Sequence, residues 1–228
     1  MRPESPRWHE VTPSEFAHER EGLAHLCELL PDRAPFHAWT NFEFRDRDGK
    51  WYEVDALVLG ERRLHLLELK HYRGLITGSA YRWQRGGRSE DSPLLAARRK
   101  AQRLKGVITD ALHQLQPNLD PRHIPYIQHA VFLHAPDGRC ALPPSDAADL
   151  FGLDGHEQRS GLRSLADRLL EPPPPDGRPG LIDQDDLLVA LFERIGFTLR
   201  REREVGSWRL TGGPLAEGEG WQDWPAEH

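Results

Sequence analysis

At 228 residues, with 38% hydrophobic and 29% charged side chains, the chain is long enough to bury a core and reads as soluble and globular. No apolar run approaches a membrane span and Met1-Arg-Pro-Glu-Ser-Pro lacks a signal peptide's apolar core, so a cytoplasmic location is expected. Cys27 and Cys140 are too few for a disulfide framework or a zinc site, and a net charge of -6 argues against a protein that coats nucleic acid.

Thr12-Pro13-Ser14-Glu15 has the form of a capping box with proline at the first helical position, and Phe16, Leu23, Leu26 and Leu30 then recur at helical spacing. Glu19 shares that apolar stripe, whereas Glu21 falls on the opposite face. Residues 37–44 alternate as a strand, and Asp46-Arg-Asp-Gly-Lys50 carries the Asp-Gly signal of a hairpin turn. Residues 51–59 form the next strand, Gly60-Glu61-Arg62 turns it back, and an apolar run over 64–69 follows.

Asp55 and Glu68 are 13 residues apart, enough for two short strands and a tight turn, so their carboxylates can meet across the hairpin. Strand alternation puts Glu68 and Lys70 on one face, with Leu67 and Leu69 pointing into the core. Two carboxylates can share a divalent cation, and an adjacent lysine can steady a water nucleophile or a developing oxyanion. Of thirty basic residues only Lys50, Lys70, Lys100 and Lys105 are lysine, which makes a lysine at position 70 less incidental. The plainer alternative is a solvated Glu and Lys pair on an amphipathic strand.

Residues 74–77 and 81–85 read as a further short hairpin carrying Tyr81 and Trp83. Ser92-Pro93 opens a second long helix whose stripe is Leu94, Ala97, Ala101, Leu104, Ile108, Ala111 and Leu115. Arg98, Arg99, Lys100, Arg103 and Lys105 share this helix, and Lys100 borders the stripe, so it is the one expected to lean toward the motif. Residues 127–134 read as a core strand, and strand, helix and strand in that order predict a crossover and a mixed, partly parallel sheet. Beyond Ala135 helices are expected at 145–151, 160–170 and 183–195 around the proline run after Glu171. From about residue 203 the glycines and Trp208, Trp221 and Trp224 read as an extended tail.

Charge is unevenly spread. Residues 73–105 carry nine basic side chains against Glu90 and Asp91, a net +7, while residues 140–228 carry nine arginines against seventeen acids, a net -8. Local basicity beside the candidate site suits a phosphate backbone. The twelve histidines show no metal-ligand spacing; His65 and His71 flank the motif strand, and His71 could reach a phosphate, against the plainer reading of an exposed side chain.

Asp55 and Glu68-Leu69-Lys70, set in two hydrophobic strands with a helix before and after, resemble the PD-(D/E)xK nuclease superfamily. More narrowly, Glu53-Val-Asp-Ala-Leu-Val-Leu-Gly60 followed by Leu66-Leu-Glu-Leu-Lys70 resembles the nuclease-related domain called NERD, over about residues 12–135. The resemblance implies an α/β fold with a restriction-endonuclease-like mixed β-sheet flanked by helices. Residues 136–200 are expected as a helical C-terminal extension and 201–228 as an extended tail or linker. The resemblance also implies Mg2+ (or Mn2+) held by Asp55 and Glu68, with Glu19 of the first helix as a further ligand and Lys70 activating the attacking water. DNA is the implied partner, its phosphates met by Arg73, Arg98, Arg99, Lys100 and Arg103. Related domains often begin the second helix with Asn-Pro and a Gln shortly after, where this chain has Ser92-Pro93 and Ala96.

The opening and the motif region also resemble the N-terminus of large Ser/Thr kinases of phage-growth-limitation systems, the type 2 form of BREX defence. The chain has no kinase catalytic loop and no Asp-Phe-Gly, so that likeness implies a piece that precedes a kinase domain. The expected function is a metal-dependent DNA endonuclease domain in antiphage defence. The alternative is a catalytically weak, nuclease-derived module that senses nucleic acid or regulates an attached kinase. A homodimer is expected where both strands are cut.

Overall fold

The apolar run from Leu64 to Leu69 becomes a central strand because helices cover both of its faces, so all six residues are buried. The computed structural model describes residues 1–61, 63–118, 127–170 and 185–199, with 203–205, 207–210, 216–218, 221–223 and 225–228 beyond them. In chain order the first half comprises β1 (Trp8–Glu10), α1 (Ala17–Leu29), β2 (His37–Arg45), β3 (Trp51–Leu59) and β4 (Leu64–Lys70). A small wing follows, β5 (Leu75–Gly78), β6 (Arg82–Arg85) and β7 (Arg88–Asp91), leading into α2 (Pro93–Leu115). Then come β8 (Ile127–Leu133), β9 (Arg139–Cys140), β10 (Leu150–Gly152), α3 (Glu157–Ser160), β11 (Arg163–Ser164) and α4 (Leu165–Leu169). After residue 184 lie α5 (Asp185–Ile195) and β12 (Thr198–Leu199).

The main sheet has the order β1-β2-β3-β4-β8-β10-β11, with β12 also on β2. β2, β3 and β4 form an antiparallel meander, and β8 lies parallel to β4 after the crossover through α2, giving the mixed sheet anticipated from the element order. On one face Leu57, Leu59, Leu64, Leu66 and Val131 pack with the stripe of α2 and with α5. On the other, Ala56, Val58, Leu67, Leu69 and Phe132 pack with α1 and α4. No described helix is long and apolar enough to cross a membrane.

Several local expectations change. The first helix begins at Ala17 with Phe16 as its N-cap and no side-chain cap, so Thr12-Pro13-Ser14-Glu15 precedes the helix, where the Ser14 hydroxyl donates to the Glu19 carboxylate at 2.7 Å. The helix expected over 145–151 is a series of turns ending in β10, which pairs parallel with β8, and 160–170 divides into β11 and the short α4. The wing gains a third strand, β7, paired with β6, while Trp83 of β6 is buried in the core on the α2 face and Tyr81 is exposed. The expected helix over 183–195 appears as α5, its first two residues and the proline run lying outside the described residues. Described parts of 201–228 pair as short antiparallel strands, β13 (Arg203–Val205), β14 (Trp208–Leu210), β15 (Ala216–Gly218), β16 (Trp221–Asp223) and β17 (Ala226–Glu227); Trp224 lies outside them.

The start of α2 follows the sequence closely. Ser92 is the N-cap, its hydroxyl accepting the Leu94 N–H at 3.3 Å, with Pro93 at the first helical position. Ser92→Ala is expected to cost about 1 kcal/mol, read as a lowered urea midpoint with an unchanged slope.

Candidate active site

Asp55 and Glu68 lie opposite one another where β3 and β4 part. The ladder between these strands runs from Leu59 and Leu64 to Ala56 and Leu67, and Asp55 and Glu68 are the next residues along each strand. Asp55 Oδ2 accepts the Leu69 N–H at 2.8 Å, so a side chain takes the place of a ladder partner and the strands can diverge without orphaning that buried amide. At the same level on β2, between the Thr40–Ala56 and Phe42–Val54 pairs, Asn41 adopts a left-handed φ of 52°, a conformation asparagine tolerates. There the outer edge of β2 passes from β1, last paired at Thr40, to β12, first paired at Phe42.

Glu68 faces α2 and is held by two ammonium groups. Lys70 Nζ donates to Glu68 Oε1 at 2.9 Å, and Lys100 Nζ reaches in from α2 to Oε2 at 2.6 Å. Glu68 is only 6% exposed, so this is no solvated pair on an open strand face. Burial opposes its ionisation, but Lys100 and then Lys70 outweigh that and hold its carboxyl below the usual range. For Lys70 burial works downward, yet Asp55 and Glu68 carry it above the ordinary ammonium range. Lys70 is therefore a fixed cation that donates hydrogen bonds and does not accept a proton.

A cavity of about 260 Å³ opens at this strand end. Glu19, Glu53, Asp55 and Lys70 line it, together with the rings of Phe16, His18, His71, Tyr72 and His134. Helix α1 comes close because residue 22 is glycine: a Cβ there would lie 3.0 Å from both His134 Nε2 and Leu69 Cδ2. His134 is buried, and burial followed by the neighbouring His71 brings its pKa down to about 4, so the ring is neutral. Sequence reasoning singled out His71 but missed Phe16, His18, Tyr72 and His134. One signal was available: β4 and β8 pair in parallel with Lys70 beside Leu133, so His71 and His134 are the next residue on each strand.

The donors suit a hard cation in chemistry. Mg2+ is commonly held by one or two carboxylates with substrate phosphate and water completing its shell, and Asp55 and Glu68 supply two. Yet among the described residues no three His, Cys, Asp or Glu side chains gather as a ligand group. Glu19 shares the cavity with Asp55 while accepting from Ser14, and each Glu68 oxygen accepts from a lysine, so a cation on Glu68 has to share its oxygens with two ammonium groups or displace one.

The proposed phosphate contacts are dispersed. Arg98 and Arg99 are exposed on α2. Arg103 instead ties α2 to the β2–β3 turn through Asp46 and Asp48, and Lys100 points inward to Glu68. Arg73, exposed and next in sequence to the cavity-lining Tyr72, donates to His71 Nε2 at 3.4 Å and lies 4.0 Å from Asp137.

A mixed sheet flanked by helices, with Asp on one central strand and Glu-x-Lys on the next, defines a restriction-endonuclease-like protein. The chain belongs to the nuclease-related domain (NERD) family, whose model matches residues 14–134. It is also similar to the probable kinase PglW of Streptomyces coelicolor, with 30% identity across 97% of this chain. The chain spans 14% of that relative's length. No solved structure matches it.

Proposed function

We propose that this chain is a metal-dependent endonuclease domain that hydrolyses DNA phosphodiester bonds, part of an antiphage defence protein that also carries a kinase domain. The observation that carries this reading is the placement of Asp55 and Glu68 as the first residues beyond the β3–β4 ladder, with Lys70 bonded to Glu68 and lining an open cavity together with Asp55. When bound, Mg2+ or Mn2+ would supply charge neutralisation at the phosphate and an acidified water. Asp55 and Glu68 are the residues that would hold it, with Glu19 within the same cavity as Asp55. Lys70, fixed as an ammonium, orients the attacking water or steadies a phosphoryl oxygen as charge develops there. Arg73, Arg98 and Arg99 are the exposed cations left to meet the backbone, which makes binding fall with added salt. The similarity to a probable kinase over a small part of its length supports a linked kinase domain.

The engagement of both Glu68 oxygens by lysines favours a second reading, a weakly catalytic module that binds nucleic acid and signals to a kinase. A Mg2+ titration of plasmid nicking separates the two. Lys100→Met frees Glu68 Oε2 and is expected to lower the half-saturating Mg2+ concentration about tenfold, the worth of one hydrogen bond to a charged group. Metal-independent inactivity of both proteins, with the fold intact, would support the signalling module instead.

A further inference from the structure

We propose that the cavity beside Asp55 and Lys70 seats one unstacked nucleobase, so that the site takes single-stranded or frayed DNA in preference to intact duplex. This rests on the nuclease reading and names its substrate form. Four rings of the lining follow one another around the cavity: Phe16 to His18 at 5.6 Å between centroids, His18 to His71 at 5.7 Å and His71 to His134 at 5.1 Å. Tyr72 completes the aromatic lining. Adjacent planes are inclined by 33°, 45° and 58°, so the rings do not stack flat on one another and exhaust each other's faces. Nor are most of them core residues, since His18 is exposed and Phe16, His71 and Tyr72 are half-buried. The ring faces, and not the covered Nδ1 atoms of His71 and His134, are what this lining offers a ligand.

These features match what an unpaired base requires. Aromatic side chains bind bases through their π-faces, and a base inside a duplex keeps its faces covered by its neighbours. The cavity's volume of about 260 Å³ falls just under the roughly 300–1,000 Å³ of pockets that take drug-sized ligands, which suits a single base. Charge sets the orientation: Glu19, Glu53 and Asp55 repel a phosphate and Lys70 attracts one, so the phosphate belongs at Lys70 and the base against the rings.

The test uses the 228-residue chain in EDTA, where cleavage is suppressed, with a short labelled DNA single strand and its duplex, each carrying 2-aminopurine as a stacking reporter. The single strand is expected to bind at least about tenfold more tightly than the duplex, with quenching of the reporter on binding. His71→Ala should weaken single-strand binding about tenfold without changing duplex binding, and His18→Ala, at an exposed position that the fold does not need, should do the same. Equal affinity for the two forms, losses shared by both, no binding of either, or an unquenched reporter would overturn the proposal. Metal-dependent nicking by a protein that prefers duplex would leave the nuclease reading standing and remove the base seat. A quenched, single-strand-selective protein that never cuts would do the reverse.

Discussion

Lys70→Ala is expected to reduce metal-dependent nicking of supercoiled plasmid by on the order of 10²–10³-fold, the usual effect of removing one preorganised donor from a site where charge develops. The loss of nicking should far exceed the loss of folded protein. Lys100 still holds Glu68 after the change, and Asp55 still accepts the Leu69 amide, so the parted strands keep their contacts. Lys70 is nevertheless a cation that Asp55 and Glu68 hold in the fold, so some stability goes with it and nicking is compared under conditions where the variant remains folded. Asp55→Ala should abolish cutting as well and lose stability for a different reason. It removes the acceptor of a buried amide, a loss of about 1–3 kcal/mol that urea denaturation would register. Nicking that survives Lys70→Ala in the folded variant would remove Lys70 from the chemistry.

The second large effect concerns acid. His65 and His134 are buried and neutral in the folded chain, where burial brings their pKa values to about 3 and about 4, against 6.5 for an ordinary histidine. Arg168 adds to the shift of His65, and His71 to that of His134. Between pH 6.5 and those lower values the unfolded chain binds protons that the folded chain refuses, so stability is full above pH 6.5 and falls as the pH is lowered. At pH 5 each histidine accounts for a loss of about 2 kcal/mol relative to pH 7.5. His134→Gln should remove about half of that combined loss, measured as urea midpoints at the two pH values. Glu68 acts in a lower window, because a carboxyl held down by lysines contributes stability above about pH 4.3 and loses it below. An unchanged pH dependence in His134→Gln would contradict this account of the buried rings.

The motif strands were legible in the sequence because their signals are local. The alternation and turn residues delimit β3, and the near-continuous apolar run marks β4 as a strand covered on both faces. Ser92-Pro93 marked the start of α2, and helical angle alone turned Lys100 toward Glu68. What could not be read depends on contacts between distant segments. β10 and β11 are too short to show a period of two, and they become strands only because β10 adds in parallel to β8 and β11 to β10. Thr12-Pro13-Ser14-Glu15 has the form of a capping box, but the helix starts after it and the Ser14 hydroxyl goes to the buried Glu19, a contact visible only once α1 rests on the sheet. The aromatic wall is assembled from α1 and from the ends of β4 and β8, so no spacing along the chain announces it.

Incubation of supercoiled plasmid with the purified chain in Mg2+, Mn2+ or EDTA, beside Asp55→Ala and Lys70→Ala, tests the central claim most directly. The nuclease account predicts nicking that requires the metal and disappears in both variants. A folded protein that binds DNA yet leaves the plasmid intact in either metal would contradict it.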